Sequence, residues 1–176
     1  NGGFFDTADD HEQLVVRPKS LQDNATPSGN AMAIRTLLQL AAYTGDDAYY
    51  TPAASALSAM QPLLSRHPAA FAHWLGALEF ALAPAQEIAL IGPADASAAA
   101  AMLAILQQPY RPNQVVALAP AETTTSAVPL LNHRPQQKRQ PTAYVCQNFA
   151  CRLPVTEPEA LAQQLESPPA KTQAGP

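Results

Sequence analysis

The chain has 176 residues, enough for one domain or two small ones, and its hydrophobic fraction of 47% is ordinary for a globular protein. Only 14% of the residues are charged and the formal net charge is −4, so the composition does not favour a nucleic-acid-binding surface. No apolar run reaches the ~20 residues of a membrane helix and no signal peptide is recognisable, so we predict no association with membranes.

The N-terminal residues predict a small β-hairpin. Residues 3–5 and 12–16 read as short extended segments on either side of a polar turn over residues 6–11. Paired aromatic and β-branched residues, Phe4 with Phe5 and Val15 with Val16, favour strands in these two segments.

Polar side chains concentrate in residues 14–30, LVVRPKSLQDNATPSGN, directly before an apolar helix. One interpretation is helix capping, in which Ser28 or Asn24 accepts hydrogen bonds from the first N–H groups of the helix. The other is a pocket wall, because a carboxylate beside cationic side chains can act in acid–base chemistry or bind sugar hydroxyls. On that interpretation the candidate ligand-binding residues are Arg17, Lys19, Asp23, Asn24, Ser28 and Asn30.

Residues 28–82 predict three helices joined by short turns, an up-down-up array of α-hairpins. The first helix ends at Gly45, which suits the left-handed C-terminal position, and Asp46 or Asp47 caps the second. The third begins after Pro68. The predicted buried faces are Ile34, Leu37, Leu38 and Ala41 in the first, Tyr50, Ala53, Ala54, Leu57, Met60 and Leu64 in the second, and Phe71, Trp74, Leu75, Leu78 and Leu82 in the third.

After Pro84 the pattern predicts a small α/β segment. A strand over residues 87–91, a helix from Asp95 to about Gln108 and a strand over residues 115–119 form a βαβ unit with a parallel pair. The helix is expected to turn Ala98, Ala101, Met102 and Ile105 inward.

Further strands are predicted over residues 142–146 and 151–155, and a closing helix over residues 157–166. The fold class is therefore α+β: a helical-hairpin array followed by a small α/β segment with a short, partly parallel sheet. The predicted domains are residues 1–83 and 84–166, with a disordered tail over residues 167–176.

Cys146 and Cys151 are spaced C-x4-C in a strand–turn–strand context, unlike the C-x-x-C at a helix start that redox pairs use. Zinc would need two more ligands, for which His133 is the nearby candidate. Structural thiols, a facultative disulfide, and metal or redox chemistry are all open interpretations. Two cysteines make no disulfide framework, so a reducing, cytoplasmic compartment is the default prediction.

Two further motifs predict no binding site. The turn after the strand at residues 87–91 has a single glycine, Gly92, and Pro93 lacks the N–H that a phosphate site would use, so neither a nucleotide nor another cofactor is predicted. The basic loop containing His133, Arg134, Lys138 and Arg139 is expected to be a solvated surface segment.

GGFFDTADDHEQLVVRPKSLQDNATPSGNAMA and TAYVCQNFACRLPVTEPEAL resemble the C-terminal part of the YyaL-like, spermatogenesis-associated thioredoxin-domain-containing proteins. Members look like a thioredoxin-like domain followed by a six-hairpin α/α toroid and a small α/β segment. The toroid is similar to those of N-acylglucosamine 2-epimerases and six-hairpin glycosidases. The resemblance implies that this chain, which has no initiator Met, holds the last helices of a partial α/α toroid plus the α/β segment.

The leading hypothesis is a non-catalytic C-terminal fragment of a cytoplasmic protein that binds or modifies a carbohydrate-like ligand in its toroid. Arg17, Lys19, Asp23 and Asn30 would face the cavity. The expected partners are a sugar-like small molecule and the remaining toroid and thioredoxin domain. The alternatives are a scaffold for a thiol-redox protein, with Cys146 and Cys151 as its thiol pair, and a structural or interaction module with an exposed apolar face.

Overall fold

The computed structural model describes residues 3–12, 15–83, 85–93 and 96–166. The chain divides into two compact units, residues 1–41 with 46–83 and residues 42–45 with 84–176. The predicted tail and the predicted helix cap Asp95 lie outside the described residues. No helix in the described ranges combines the length and the apolar character needed to cross a membrane.

Three helices build the first unit: α1 (Gly29–Thr44), α2 (Asp47–Arg66) and α3 (Ala72–Leu82). The Asp46 side chain accepts a hydrogen bond from the Ala48 N–H and caps α2, and Gly45 has a φ of +70°, so both predictions for this turn are confirmed. In α2 the buried face includes four predicted residues, whereas Tyr50 is exposed. Those four are Ala53, Leu57, Met60 and Leu64.

The predicted buried side of α3 is correct at Phe71 and Trp74 and wrong at the end of the helix. The helix buries Trp74, Ala77 and Phe80, and Phe71 directly before it is also buried, whereas Leu82 is 77% exposed. The indole Nε1 of Trp74 donates to the Leu21 carbonyl at 2.8 Å, so the ring is buried with its N–H satisfied.

The predicted N-terminal hairpin is also wrong, because residues 3–12 and 15–28 contain no strand. Val15 and Val16 are 102% and 69% exposed, so a strand here would have no apolar face to bury. Pro18 has no N–H to donate to a strand partner, and its carbonyl accepts a hydrogen bond from Asp6 N at 3.0 Å. The Ser20 N–H donates to the Asp6 carboxylate, so a side chain takes the place of a backbone partner in a neighbouring strand.

The second unit contains a four-stranded sheet of order β2-β1-β3-β4. The strands are β1 (Gln86–Ile91), β2 (Gln114–Ala119), β3 (Thr142–Gln147) and β4 (Ala150–Cys151), and the helices are α4 (Ser97–Gln107) and α5 (Pro158–Glu166). The pairing of β1 with β2 is parallel, as predicted for the βαβ unit, and β1–β3 and β3–β4 are antiparallel. The α+β fold class is confirmed.

Helices α4 and α5 contribute to one core cluster with the sheet. Its buried members are Ile88, Leu90, Met102, Leu106, Ala143, Val145, Leu161 and Leu165. The predicted face of α4 is correct at Met102 and at Ile105, which is partly buried against the same cluster, but Ala101 is exposed. The other buried positions of α4 are Ala99 and Leu106.

The fourth strand is shorter than predicted. It ends at Cys151. Arg152 N still donates to the Val145 carbonyl at 2.9 Å, and Val155 exchanges two backbone hydrogen bonds of 2.8 and 3.0 Å with Ala143. Pro154 cannot donate to a ladder, and Leu153 is 84% exposed, so these two residues leave the sheet.

Candidate thiol–disulfide site

The side chains of Asp23, Ser28 and Asn30 lie together in the first unit, where they bind backbone. Asp23 accepts from Ser28 N at 2.8 Å and from His73 N at 2.9 Å. The Ser28 hydroxyl accepts from Ala31 N at 3.1 Å, the capping geometry expected at a helix start. These contacts correspond to the capping interpretation of this segment.

Asn30 joins three parts of the same unit. It is 1% exposed; its Oδ1 accepts from Phe4 N, and its Nδ2 donates to the Phe4 and Ser20 carbonyls at 2.9 and 3.0 Å. Each polar atom of its amide is thus used to anchor the N-terminal loop on α1.

The cationic candidates surround a phenylalanine. The Arg17 guanidinium and the Lys19 ammonium lie 4.3 and 4.4 Å from the centroid of the Phe5 ring. Arg17 also pairs with Asp9 at 2.8 Å, and Lys19 donates to the Gly3 carbonyl at 3.3 Å. Asn24 is exposed. A ligand-binding role for the six candidates stays a prediction.

A row of three side chains crosses the sheet of the second unit. Glu87 on β1 lies opposite Cys146 on β3, and Cys146 lies opposite Cys151 on β4. Residues directly opposite each other in antiparallel strands project to the same face. The register therefore brings one carboxylate and two sulfurs to the face opposite the α4–α5 core.

Cys146 and Cys151 form a disulfide with an S–S distance of 2.06 Å. Of the interpretations left open above, the structure contains the disulfide rather than two free structural thiols. The two sulfurs differ in access, because Cys146 is 3% exposed whereas Cys151 is an exposed residue. The pairing also removes the ground on which a reducing compartment was predicted, so the compartment stays a prediction.

Arg134 lies against the disulfide. Its Nη2 is 3.2 Å from the Cys151 Sγ and 3.7 Å from the Cys146 Sγ, and its Nη1 donates to the Asn132 carbonyl at 3.1 Å. The residue is only 9% exposed, so its assignment to a solvated loop is wrong. Its Nε is buried and has no hydrogen-bond partner in the described part of the chain.

Glu87 holds the turn that joins the two cysteine-bearing strands. Its carboxylate accepts from Asn148 N at 3.1 Å and Phe149 N at 2.8 Å. Both turn residues have positive φ, 48° and 61°, a conformation that costs free energy for a residue as large as phenylalanine. The two hydrogen bonds to Glu87 offset part of that cost and hold the turn between Cys146 and Cys151.

Burial raises the pKa of the Glu87 carboxyl, and the hydrogen bonds from Phe149 and Asn148 and the charge of Arg134 oppose that rise. Burial also lowers the pKa of the Arg134 guanidinium. Each charge is thus held at a desolvation cost, in a region where electrostatic interactions are stronger than in water.

A groove of about 870 Å³ opens beside the disulfide. Both cysteines line it, together with the turn residue Asn148, the loop before β2 and two arginines, Arg111 and Arg152. Pockets of this size accommodate small organic ligands. In the described residues, no three His, Cys, Asp or Glu side chains are grouped to hold a metal ion.

Sequence reasoning missed Glu87 and Arg134. Glu87 carried a usable signal, because it is a charged residue at the start of the apolar run Ile88 to Ile91. Arg134 carried none, since its proximity to the cysteines depends on the path of a long loop.

Three curated proteins are similar to this chain. The human (Homo sapiens) spermatogenesis-associated protein 20 is 31% identical over 168 residues, or 93% of this chain. Its counterparts from Rattus norvegicus and Mus musculus are each 29% identical over 168 residues. The chain belongs to the spermatogenesis-associated protein 20 family. This confirms the family that the sequence motifs predicted.

The match covers most of this chain but only a small part of each relative. The chain spans 21% of the length of each spermatogenesis-associated protein 20. No protein-family model matches the chain, and no solved structure matches it.

Proposed function

We propose that this region of a spermatogenesis-associated protein 20 relative carries a thiol–disulfide exchange centre, with Cys151 as the nucleophile and Cys146 as the resolving thiol. The observation that supports this proposal is the position of the buried Arg134, whose Nη2 lies within hydrogen-bonding distance of both sulfurs. A disulfide sulfur is a weak, uncharged acceptor, whereas a thiolate forms a charge-assisted hydrogen bond with a guanidinium. Arg134 therefore interacts more strongly with the reduced and partly reduced states than with the oxidised one.

The access of the two sulfurs sets the order of steps. A thiolate of an external dithiol attacks the exposed Cys151 Sγ, the Cys146–Cys151 bond breaks, and Cys146 leaves as a thiolate beside Arg134. The second thiolate of the dithiol then attacks its own sulfur in the mixed disulfide and releases Cys151 as a thiolate. Two protons pass from the dithiol to the cysteine pair or to solvent, so the dithiol is oxidised and the pair is reduced.

Arg134 assists both steps, because an opposite charge in contact lowers the pKa of the departing thiol. In the reverse direction the same contact keeps Cys151 ionised as the attacking group. Glu87 has a positioning role: it holds the turn that keeps the sulfurs opposite each other.

Trapping the mixed disulfide tests this assignment. The Cys146→Ser variant, mixed with a linear disulfide such as bis(2-hydroxyethyl) disulfide, is expected to accumulate a covalent adduct at Cys151 as 2-mercaptoethanol leaves, visible by mass spectrometry and removed by reductant. The matched Cys151→Ser variant should form the corresponding adduct at Cys146 at least about tenfold more slowly, because the buried sulfur cannot reach an external disulfide. Equal trapping in both variants would contradict the assignment. A wild-type disulfide that resists dithiothreitol in the folded protein would contradict the function.

We also retain, for the longer protein, the proposal of a carbohydrate-like ligand in an α/α toroid in a cytoplasmic protein. The observation that favours it is the exposed cluster in which the Arg17 guanidinium and the Lys19 ammonium lie over the Phe5 ring, because cationic groups at a surface can donate hydrogen bonds to sugar hydroxyls or phosphates. Arg17→Ala and Asp23→Ala in the full-length protein, measured in a sugar and sugar-phosphate binding screen, provide the test. Unchanged binding in both variants would overturn the assignment of this surface.

A further inference from the structure

We infer that the groove beside the disulfide binds a small thiol that carries carboxylate groups, a peptidic thiol of the glutathione kind, as the exchange partner of Cys151. This inference rests on the exchange centre proposed above and names its substrate class. It starts from the charge of the groove. The lining residues include two arginines and four side-chain amides but no carboxylate: Arg111, Arg152, Gln86, Asn113, Gln147 and Asn148. The net charge of the whole chain is −4, so this local excess of positive charge is not a reflection of composition.

The two guanidinium groups are anchored in place. Arg111 Nη1 donates to the carbonyls of Ile105 and Gln108, at 2.8 and 3.1 Å, where α4 ends. Arg152 Nη1 donates to the Gln164 carbonyl in the last turn of α5 at 2.7 Å. Cations are favourable at helix C-termini, so these contacts hold both side chains at the groove without a bound ligand. A guanidinium fixed in this way loses little entropy when it binds a carboxylate.

The size and position of the groove fit a small peptide better than a free ion. A volume of about 870 Å³ exceeds what a single carboxylate or phosphate fills. Both Cys146 and Cys151 line the same groove as the arginines, so a ligand bound in the groove lies beside the cysteine pair. Tyr110, 88% exposed, supplies a large amphipathic side chain at the same groove.

The chemistry is two successive exchanges. The thiolate of one small thiol attacks Cys151 Sγ, the bond to Cys146 Sγ breaks, and Cys146 leaves as a thiolate. A second small thiol then attacks the ligand sulfur of the mixed disulfide and releases Cys151. Two thiols become one small disulfide, and the pair gains the two electrons.

The test compares second-order rate constants for reduction of the wild-type disulfide by glutathione, 2-mercaptoethanol and cysteamine at equal thiolate concentrations. These probes are acidic, neutral and basic. Glutathione should react about tenfold faster than cysteamine at low salt, and the ratio should shrink toward unity at 1 M salt because ion pairs are screened. Arg111→Gln and Arg152→Gln should each remove much of the preference. Arg139→Gln, at an exposed residue outside the groove, should leave it unchanged.

A second measurement needs no variant, since both arginines also support helix ends. S-methylglutathione has the carboxylates but no thiol, and at millimolar concentration it should slow reduction by dithiothreitol competitively. Equal thiolate-corrected rates for the three probes, together with no protection by S-methylglutathione, would overturn the inference. If dithiothreitol reduces the disulfide readily in that case, the exchange centre stands and only its small-thiol substrate is wrong. Failure of every thiol to reduce the folded protein would remove the exchange centre itself.

Discussion

Two polar clusters, one in each unit, are used in opposite ways. In the first unit, Asp23, Ser28 and Asn30 bind backbone groups. In the second, the Arg134 guanidinium contacts a disulfide and its buried Nε has no partner among the described residues. Buried polar groups are normally satisfied, so an unsatisfied one calls for an explanation. The many polar residues of the first cluster therefore anchor a loop. The buried charge of Arg134, whose hydrogen bonds are incomplete, makes the second cluster the stronger candidate for a reactive site.

Removing the Asn30 amide gives the largest expected effect on stability. Asn30→Ala leaves the Phe4 and Ser20 backbone groups without their partners, and we expect a loss of about 3 kcal/mol in the free energy of unfolding. Asn24→Ala, at an exposed asparagine in the same segment, is the matched control and should stay within about 0.5 kcal/mol of wild type. Denaturant unfolding measures both. Equal losses in the two variants would break the distinction between anchoring and surface residues.

The pH dependence of stability at Glu87 tests how burial affects the charged groups beside the disulfide. Because burial raises the pKa of this carboxyl above its ordinary 4.5, the folded protein holds the proton more tightly than the unfolded chain. The stability due to Glu87 is therefore fully present below pH 4.5 and is lost as pH rises through the raised folded pKa. Glu87→Gln retains an acceptor oxygen but does not titrate.

Unfolding free energies of wild type and Glu87→Gln, measured from pH 4 to pH 8, check this sign. Wild type minus variant should fall with rising pH. A difference that rises over this range would show that the two N–H donors and Arg134 outweigh burial.

Arg17→Ala should have the smallest effect. The Arg17–Asp9 pair joins side chains that are 36% and 95% exposed, and such pairs contribute about 0.5 kcal/mol or less. Urea unfolding at low and high salt gives the measurement. A loss above about 2 kcal/mol would make this surface an anchoring element like Asn30.

Local patterns predicted the parts of the fold that depend on local chemistry. Gly45 and Asp46 marked the turn between α1 and α2, and the strand–helix–strand order after Pro84 predicted the parallel pair β1–β2. The N-terminal hairpin failed because the valines at 15 and 16 have no apolar surface to cover. In α3 the apolar spacing predicted the buried Phe71 and Trp74 correctly but also included Leu82, which is 77% exposed.

Only part of the candidate site could be predicted from the sequence. The spacing of Cys146 and Cys151 indicated a hairpin and allowed a disulfide, but it did not indicate which groups surround the two cysteines. Glu87 reaches the pair through strand register, and Arg134 reaches it through a loop without regular pattern. Neither relation is encoded within a short window of sequence.

The most direct test of whether Arg134 activates Cys151 is the pKa of the Cys151 thiol in the reduced protein. The rate of alkylation by iodoacetamide as a function of pH, followed at Cys151 by mass spectrometry, gives that pKa in wild type and in Arg134→Met. We expect a wild-type pKa below the ordinary value of about 8.5, because the Arg134 guanidinium favours the thiolate, and a higher value in the variant. A wild-type pKa at or above about 8.5 that Arg134→Met leaves unchanged would contradict it.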